Sequence, residues 1–340
     1  MNGRRTNPDC SKIGLHQEFF QAQRTCSMGR RIPSMHPKTL AWATAVTATA
    51  CALGMTAATG LRIEPSHGLM WTAGIGLLVA IQAFYTRYRP EPFIADLIGT
   101  LAVNLCASCM IGVVALAGLA VNAPLVDGAL IRADAMLGLD ARAMVETVSH
   151  WTVLHGPLAF AYQFSVVPLV FAPSILVVLR RAEAAWRFCA MIGLSGLACA
   201  LLSIPFPAIG AFPGLQIPDD VVARLPEGAG LCHIPTFDAF RSGLATVIRL
   251  SELNGVITFP SFHAAFACAT ADAFLPIRHL RLPVVVWTVV VMASTIVIGG
   301  HYFVDVLAGL ALFAAVASVA RPHRTASRPP RMAPAMTSAA

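Results

Sequence analysis

The sequence predicts an all-α, polytopic membrane helix bundle of about eight transmembrane helices. Three observations predict it. Of 340 residues, 56% are hydrophobic and only 12% are charged, roughly half the charged share of soluble domains. Apolar runs of ~20 residues, the length that crosses a bilayer, recur along most of the chain. Arginines gather in alternate intervals between those runs, as they do when a membrane protein orients itself.

Residues 1–38 form a polar, basic segment with Arg4, Arg5, Arg24, Arg30 and Arg31. The apolar run that follows lies too deep to be a cleaved signal peptide, so it is read as an uncleaved first span. The membrane domain is 39–320. Its spans are predicted at 40–59, 68–86, 93–121, 157–179, 186–205, 261–277, 282–300 and 303–320. The tail 321–340 is rich in Pro, Ala, Ser and Arg and is predicted to be disordered.

Eight spans place every basic interval on one side. These are the N-terminal segment, Arg87 with Arg89, Arg180 with Arg181 and Arg187, Arg278 with Arg281, and the C-terminal tail. That side is expected to be the cytoplasm, with both termini there and the protein in the cell membrane. The other side receives 122–156 and 206–260, which both lean acidic. Within them, 130–148 and 236–254 have the spacing of amphipathic helices lying on the membrane surface.

The net charge of +7 does not point to nucleic acid, because no basic stripe with interleaved aromatics carries it. Cys106 and Cys109 form a CxxC inside an apolar run. They are read as small residues packed in a membrane helix.

Two constellations carry chemistry. One is Phe259-Pro260-Ser261-Phe262-His263 and the other is Gly299-Gly300-His301-Tyr302-Phe303-Val304-Asp305. One span goes in and the next returns, so His263 and His301 end at the same depth on the outer face. His301 and Asp305 are four apart and share a helix face. The carboxylate can fix the imidazole tautomer and leave its other nitrogen as base or nucleophile. Pro260 can begin a helix, with Ser261 in a first turn whose free N–H groups suit an anion such as phosphate. His263 could then protonate a leaving oxygen. Blander readings exist, in which Ser261 only caps a helix and the His–Asp pair only neutralises itself. A metal site built from His263, His301 and Asp305 is a further alternative.

At these residues the sequence resembles the type 2 phosphatidic acid phosphatase superfamily, through Pro260-Ser261-Phe262-His263 and His301-Tyr302-Phe303-Val304-Asp305. The fuller wording, with Gly309 after it, looks most like the inositolphosphotransferase branch, which includes the aureobasidin-resistance proteins. The resemblance extends over about 90–320. It implies a lipid phosphate or phospholipid substrate within the bilayer and a metal-independent reaction without a cofactor. It assigns His301 as the nucleophile forming a phosphohistidine, Asp305 as its orienting group and His263 as the general acid. Ser261 is implied to bind phosphate oxygens.

The pattern departs from the superfamily in its cations. The first motif, with Lys and Arg, is missing, since Lys12 and Lys38 are the only lysines. The Arg expected before the nucleophile is Thr295, after Ser294. Arg241 is the first candidate to bind the phosphoryl oxygens, with Arg249, Arg132 and His233 behind it. A transporter or lipid-binding protein using the same pocket is the alternative function, because buried ionisable groups serve it equally well.

Overall fold

The computed structural model describes residues 35–320. The remaining N-terminal residues and the tail 321–340, expected on the cytoplasmic side, lie outside the described residues. The first three long helices each open with proline in the first turn, where its missing N–H would be unpaired anyway. They are α1 (Pro37–Thr59), α2 (Pro65–Arg87) and α3 (Pro92–Ala120). Gly60 ends α1 at φ 72°, the left-handed conformation that glycine adopts without penalty. Between α1 and α2 lies β1 (Arg62–Ile63).

The segment expected to lie flat over 130–148 is two helices, α4 (Asp127–Met136) and α5 (Ala141–Ser149). Gly138, at φ 70°, separates them. The fourth expected span is broken into α6 (Thr152–Phe164) and α7 (Val166–Val178), bent by 55°. Pro168 explains the break. It has no N–H to give the Phe164 carbonyl, and its ring crowds that carbonyl.

After α8 (Ala182–Ser203) come two single turns, α9 (Ala211–Gly214) and α10 (Asp219–Val222). The helix expected over 236–254 is α11 (Ile234–Arg241), and it stops there. Gly243 at φ 75° follows, and the chain then extends into β2 (Val247–Ile248). The bundle closes with α12 (Phe262–Phe274), α13 (Arg281–Val297) and α14 (Phe303–Val319).

The described chain is therefore an all-α helix bundle whose apolar helices suit a membrane. Five helices are long and apolar enough to cross one: α1, α2, α3, α8 and the stretch Arg278–Val297 containing α13. The bent pair α6–α7 makes a sixth. The other two expected spans are shorter helices, α12 with 13 residues and α14 with 17. At 1.5 Å per residue α12 covers about 20 Å, less than the ~30 Å of a hydrocarbon core.

The core is a triplet in which α1, α3 and α8 pack pairwise. Ala41, Ala45, Ala48 and Ala52 form a buried stripe on α1. Such small residues let helix backbones approach without a driving force from water. Gly193 of α8 sits where a Cβ would come 3.0 Å from Thr44. Helix α2 rests mainly on α3 and buries only Gln82.

The two ends of the bundle differ in chemistry. At one end Asp96 accepts from the Trp186 indole at 2.9 Å and pairs with Lys38 at 3.6 Å. Arg187 pairs with Asp272 and donates to the Ala320 carbonyl. The Arg180 guanidinium lies over the Phe93 ring. The starts of α1, α3 and α8 thus meet the ends of α12 and α14, and the described arginines of the basic intervals, such as Arg180, Arg187 and Arg281, share this end. At the opposite end, β1 pairs in parallel with β2, Arg62 against Val247 and Ile63 against Ile248. The loop after α1 and the segment before α12 therefore lie together, as an even number of crossings between them, α2, α3, α6–α7 and α8, requires.

Candidate active site

Ser261 is the N-cap of α12, its Oγ accepting from the Ala264 N–H. Pro260 precedes the cap, so the helix begins at Phe262, not at the proline. This places His263 second in the helix, where its ring points to the start of α14. Gly309 of α14 permits this closeness, because a Cβ there would strike the Ser261 carbonyl. The Ser261 N–H in turn donates to the Asp305 carbonyl at 3.0 Å.

His301 lies in the turn between α13 and α14. The ring centroids of His263 and His301 are 5.9 Å apart, with 72° between their planes. Tyr162, at the end of α6, stacks on His263 at 4.6 Å and 24°. Gly299 leaves room for that tyrosine, since a Cβ would fall 2.6 Å from its ring. Gly300, at φ 72°, passes against Gly230 and completes the turn that carries His301 inward.

His301 Nδ1 and Asp305 Oδ2 approach to 3.3 Å. The two are four apart, but His301 precedes the helix and Asp305 is its third residue. Asp305 Oδ2 also accepts the Tyr302 N–H at 2.9 Å. His301 Nδ1 and Asp305 Oδ1 are buried and make no aligned hydrogen bond among the described residues. Burial pushes the His301 pKa down to about 4, with a Thr258 backbone hydrogen bond opposing the shift. The ring is then neutral near pH 7, as a nucleophile must be.

Two acidic residues that the sequence shows only as loop charges are internal here. Asp134 accepts from the N–H groups of Phe303 and Val304, at 3.0 and 2.7 Å. Burial raises its pKa, those two hydrogen bonds oppose the rise, and Asp140 adds to it. Asp127 takes the N–H groups of Ile209 and Gly210 and the Tyr302 hydroxyl. Both aspartates thus hold the turn that presents His301.

His263 and His301 open onto a common cavity of about 190 Å³. Ile111, Leu169 and Ile192 give it apolar walls, while Thr258 and His233 supply polar groups. Ser261 is fully buried as a cap and Asp305 stands behind His301, so neither lines the cavity. The structure does not bring Arg241 to the cavity. Its guanidinium donates to the Ala123 carbonyl at 2.9 Å and lies over Phe237. Arg249 pairs with Glu64 and Glu252, and Arg132 is not on the cavity wall either. Thr295 and Ser294, standing where a cation was expected, bond back to the Val291 carbonyl. Among the described residues, no Lys or Arg lines the cavity.

Sequence reasoning placed His233 among the weaker candidates and missed Tyr162 and Thr258. Nothing in the order of residues marks Tyr162, which reaches the site only through the bend before Pro168. The alternative metal reading finds no support in the geometry. Among the described residues no three His, Cys, Asp or Glu side chains are arranged to hold an ion.

A family model described as PAP2 superfamily matches residues 128–319, more than half of the chain and all of the cavity's histidines. No curated protein and no solved structure matches the chain.

Proposed function

Because the chain belongs to the PAP2 superfamily, we propose that it is a membrane-embedded phosphatase or phosphotransferase acting on a lipid phosphate ester. The observation that carries this is the meeting of His263 and His301 over one cavity, with Asp305 behind His301. The walls favour an amphiphile, because apolar side chains of α3, α7 and α8 line the same cavity as His233, His263 and His301.

Asp305 faces Nδ1 of His301, so when Nε2 exchanges the Thr258 carbonyl for substrate the ring proton sits at Nδ1 and Nε2 attacks phosphorus in line. The phosphorus–oxygen ester bond breaks, and His263 gives its proton to the leaving alkoxide. A dianionic phosphate beside His263 favours the protonated ring needed for that step. Water or a second alcohol then gives its proton back to His263 and takes the phosphoryl group from His301. Transfer to a second alcohol fits the inositolphosphotransferase-like wording of both motifs. Phe262 and His263, the first two residues of α12, have backbone N–H groups at a helix start, where an anion is favoured. The reaction needs no metal ion in this scheme.

Sidedness is part of the proposal. The basic end faces the cytoplasm with both termini, and the cavity lies toward the extracytoplasmic side. A second reading, a lipid-binding protein without turnover, draws on the absence of Lys and Arg among the described residues of the cavity wall. One assay separates them. Purified protein is given lipid phosphates and phospholipids in detergent, with and without chelator, beside His301→Ala. Turnover that survives chelator and vanishes in the variant supports the enzyme. Activity retained by His301→Ala would falsify the assignment.

A further inference from the structure

A phosphate dianion entering this cavity meets no Lys or Arg among the described residues of its wall, yet an unpaired charge in such a site is costly. The compensating charge has to be created there. His233 is placed to carry it. It precedes α11, is 7% exposed and lines the same cavity as His263 and His301. Its Nε2 lies 2.8 Å from the Ile209 carbonyl oxygen. A carbonyl only accepts, so Nε2 bears the proton and Nδ1 is the nitrogen left for a ligand.

The ring is also held from behind. Ile209 receives His233 through its carbonyl, and its own N–H donates to Asp127 at 3.0 Å. Gly210, at φ 110°, donates to the same carboxylate, and a Cβ on it would come 3.5 Å from His233 Nε2. The clamp fixes the imidazole without using Nδ1.

We propose that His233 is a third phosphoryl-contacting ring, which takes up a proton at Nδ1 as the phosphate binds and donates it in a hydrogen bond to a phosphoryl oxygen. This rests on the reading that the cavity accepts a phosphate ester. Without an anion beside it the ring favours its neutral form. Burial lowers its pKa most. The Ile209 carbonyl opposes that, His301 lowers it further, and Asp127 and Asp238 oppose. An anion at Nδ1 reverses the balance. His233 then supplies the charge that Arg241 was expected to bring.

The test uses the full-length protein in detergent. Steady-state kinetics on phosphatidic acid are measured from acid to alkaline pH for wild type, His233→Gln and His301→Ala. Loss of a charge-assisted hydrogen bond raises KM of His233→Gln roughly tenfold to a hundredfold near neutral pH. Its kcat changes less, and the alkaline rise of KM expected of wild type flattens. Calorimetry with inorganic phosphate, in two buffers of different ionisation enthalpy, counts protons. Wild type takes up about one more than His233→Gln. If His233→Gln does not fold, His233→Asn takes its place, and in wild type phosphate binding without proton uptake overturns the proposal. An active wild type, a dead His301→Ala and a His233→Gln with unchanged KM also overturn it while sparing the enzyme reading. A wild type that neither turns over lipid nor binds phosphate sinks both.

Discussion

Asp134 and Asp305 divide the free N–H groups at the start of α14 between them. Asp305 accepts from Tyr302, and Asp134 accepts from Phe303 and Val304. Two carboxylates from distant parts of the chain therefore fix the helix end next to His301. Negative charge is favoured at that end of a helix.

Asp134→Ala leaves two N–H groups without acceptors and is expected to cost about 1–2 kcal/mol, the range for losing a helix cap. Asp134→Asn keeps one acceptor and should cost less. Thermal unfolding in detergent measures both. Equal midpoints for wild type and Asp134→Ala would show that water replaces the carboxylate.

Asp305→Asn retains an oxygen for the Tyr302 N–H but removes the charge beside His301 Nδ1. Its melting midpoint should stay near wild type while kcat drops by about 10² or more. A parallel fall in both would make Asp305 a structural cap alone.

Gly299→Ala and Gly309→Ala both force backbone apart. The first Cβ would stand 2.5 Å from the Thr295 carbonyl and the second would strike the Ser261 carbonyl. Each should destabilise by about 1–3 kcal/mol, the usual result of overpacking. Gly138→Ala, at an open left-handed turn with nothing near its Cβ, serves as the comparison for backbone strain alone.

His301 has a folded-state pKa near 4, below the ordinary ~6.5 of the unfolded chain. Its contribution to stability is therefore complete above ~6.5 and is lost as pH falls toward 4. The midpoint of thermal unfolding should decline over that window, and His301→Gln should flatten the decline. An identical slope in the variant would assign the loss to other groups.

Cys232 is the exposed member of the free cysteines among the described residues, and it adjoins His233. A membrane-impermeant maleimide applied to intact cells should label it, with Cys232→Ser as the control. Labelling that requires disrupted cells would place the cavity on the cytoplasmic side.

Much of this architecture was legible because hydropathy and arginine placement report directly on a bilayer. The pairing of His263 with His301 followed from counting crossings, and the structure brings the two rings together. What the residue string hides is the partner of each polar group. Asp127 and Asp134 read as surface charge because a sequence displays a carboxylate and not the N–H it serves. Arg241 reads as a free cation until the Ala123 carbonyl takes it. The length of α11 was overestimated because amphipathic spacing continues past Arg241, while Gly243 and the pairing of Val247 with Arg62 turn the backbone to strand. Tyr162 depends on the bend at Pro168, whose direction no periodicity encodes.

The two-residue ladder between Arg62–Ile63 and Val247–Ile248 also bears on how the molecule is assembled. Its first half leaves the ribosome with the opening hairpin. Its second half arrives only after three further apolar segments, α3, the bent pair α6–α7 and α8, have been threaded. The seam over α1 and α2 therefore closes late in biosynthesis, shortly before Ser261 and His263 are made. A nascent chain stalled earlier should present that hairpin unlatched, open to proteases that the finished protein resists.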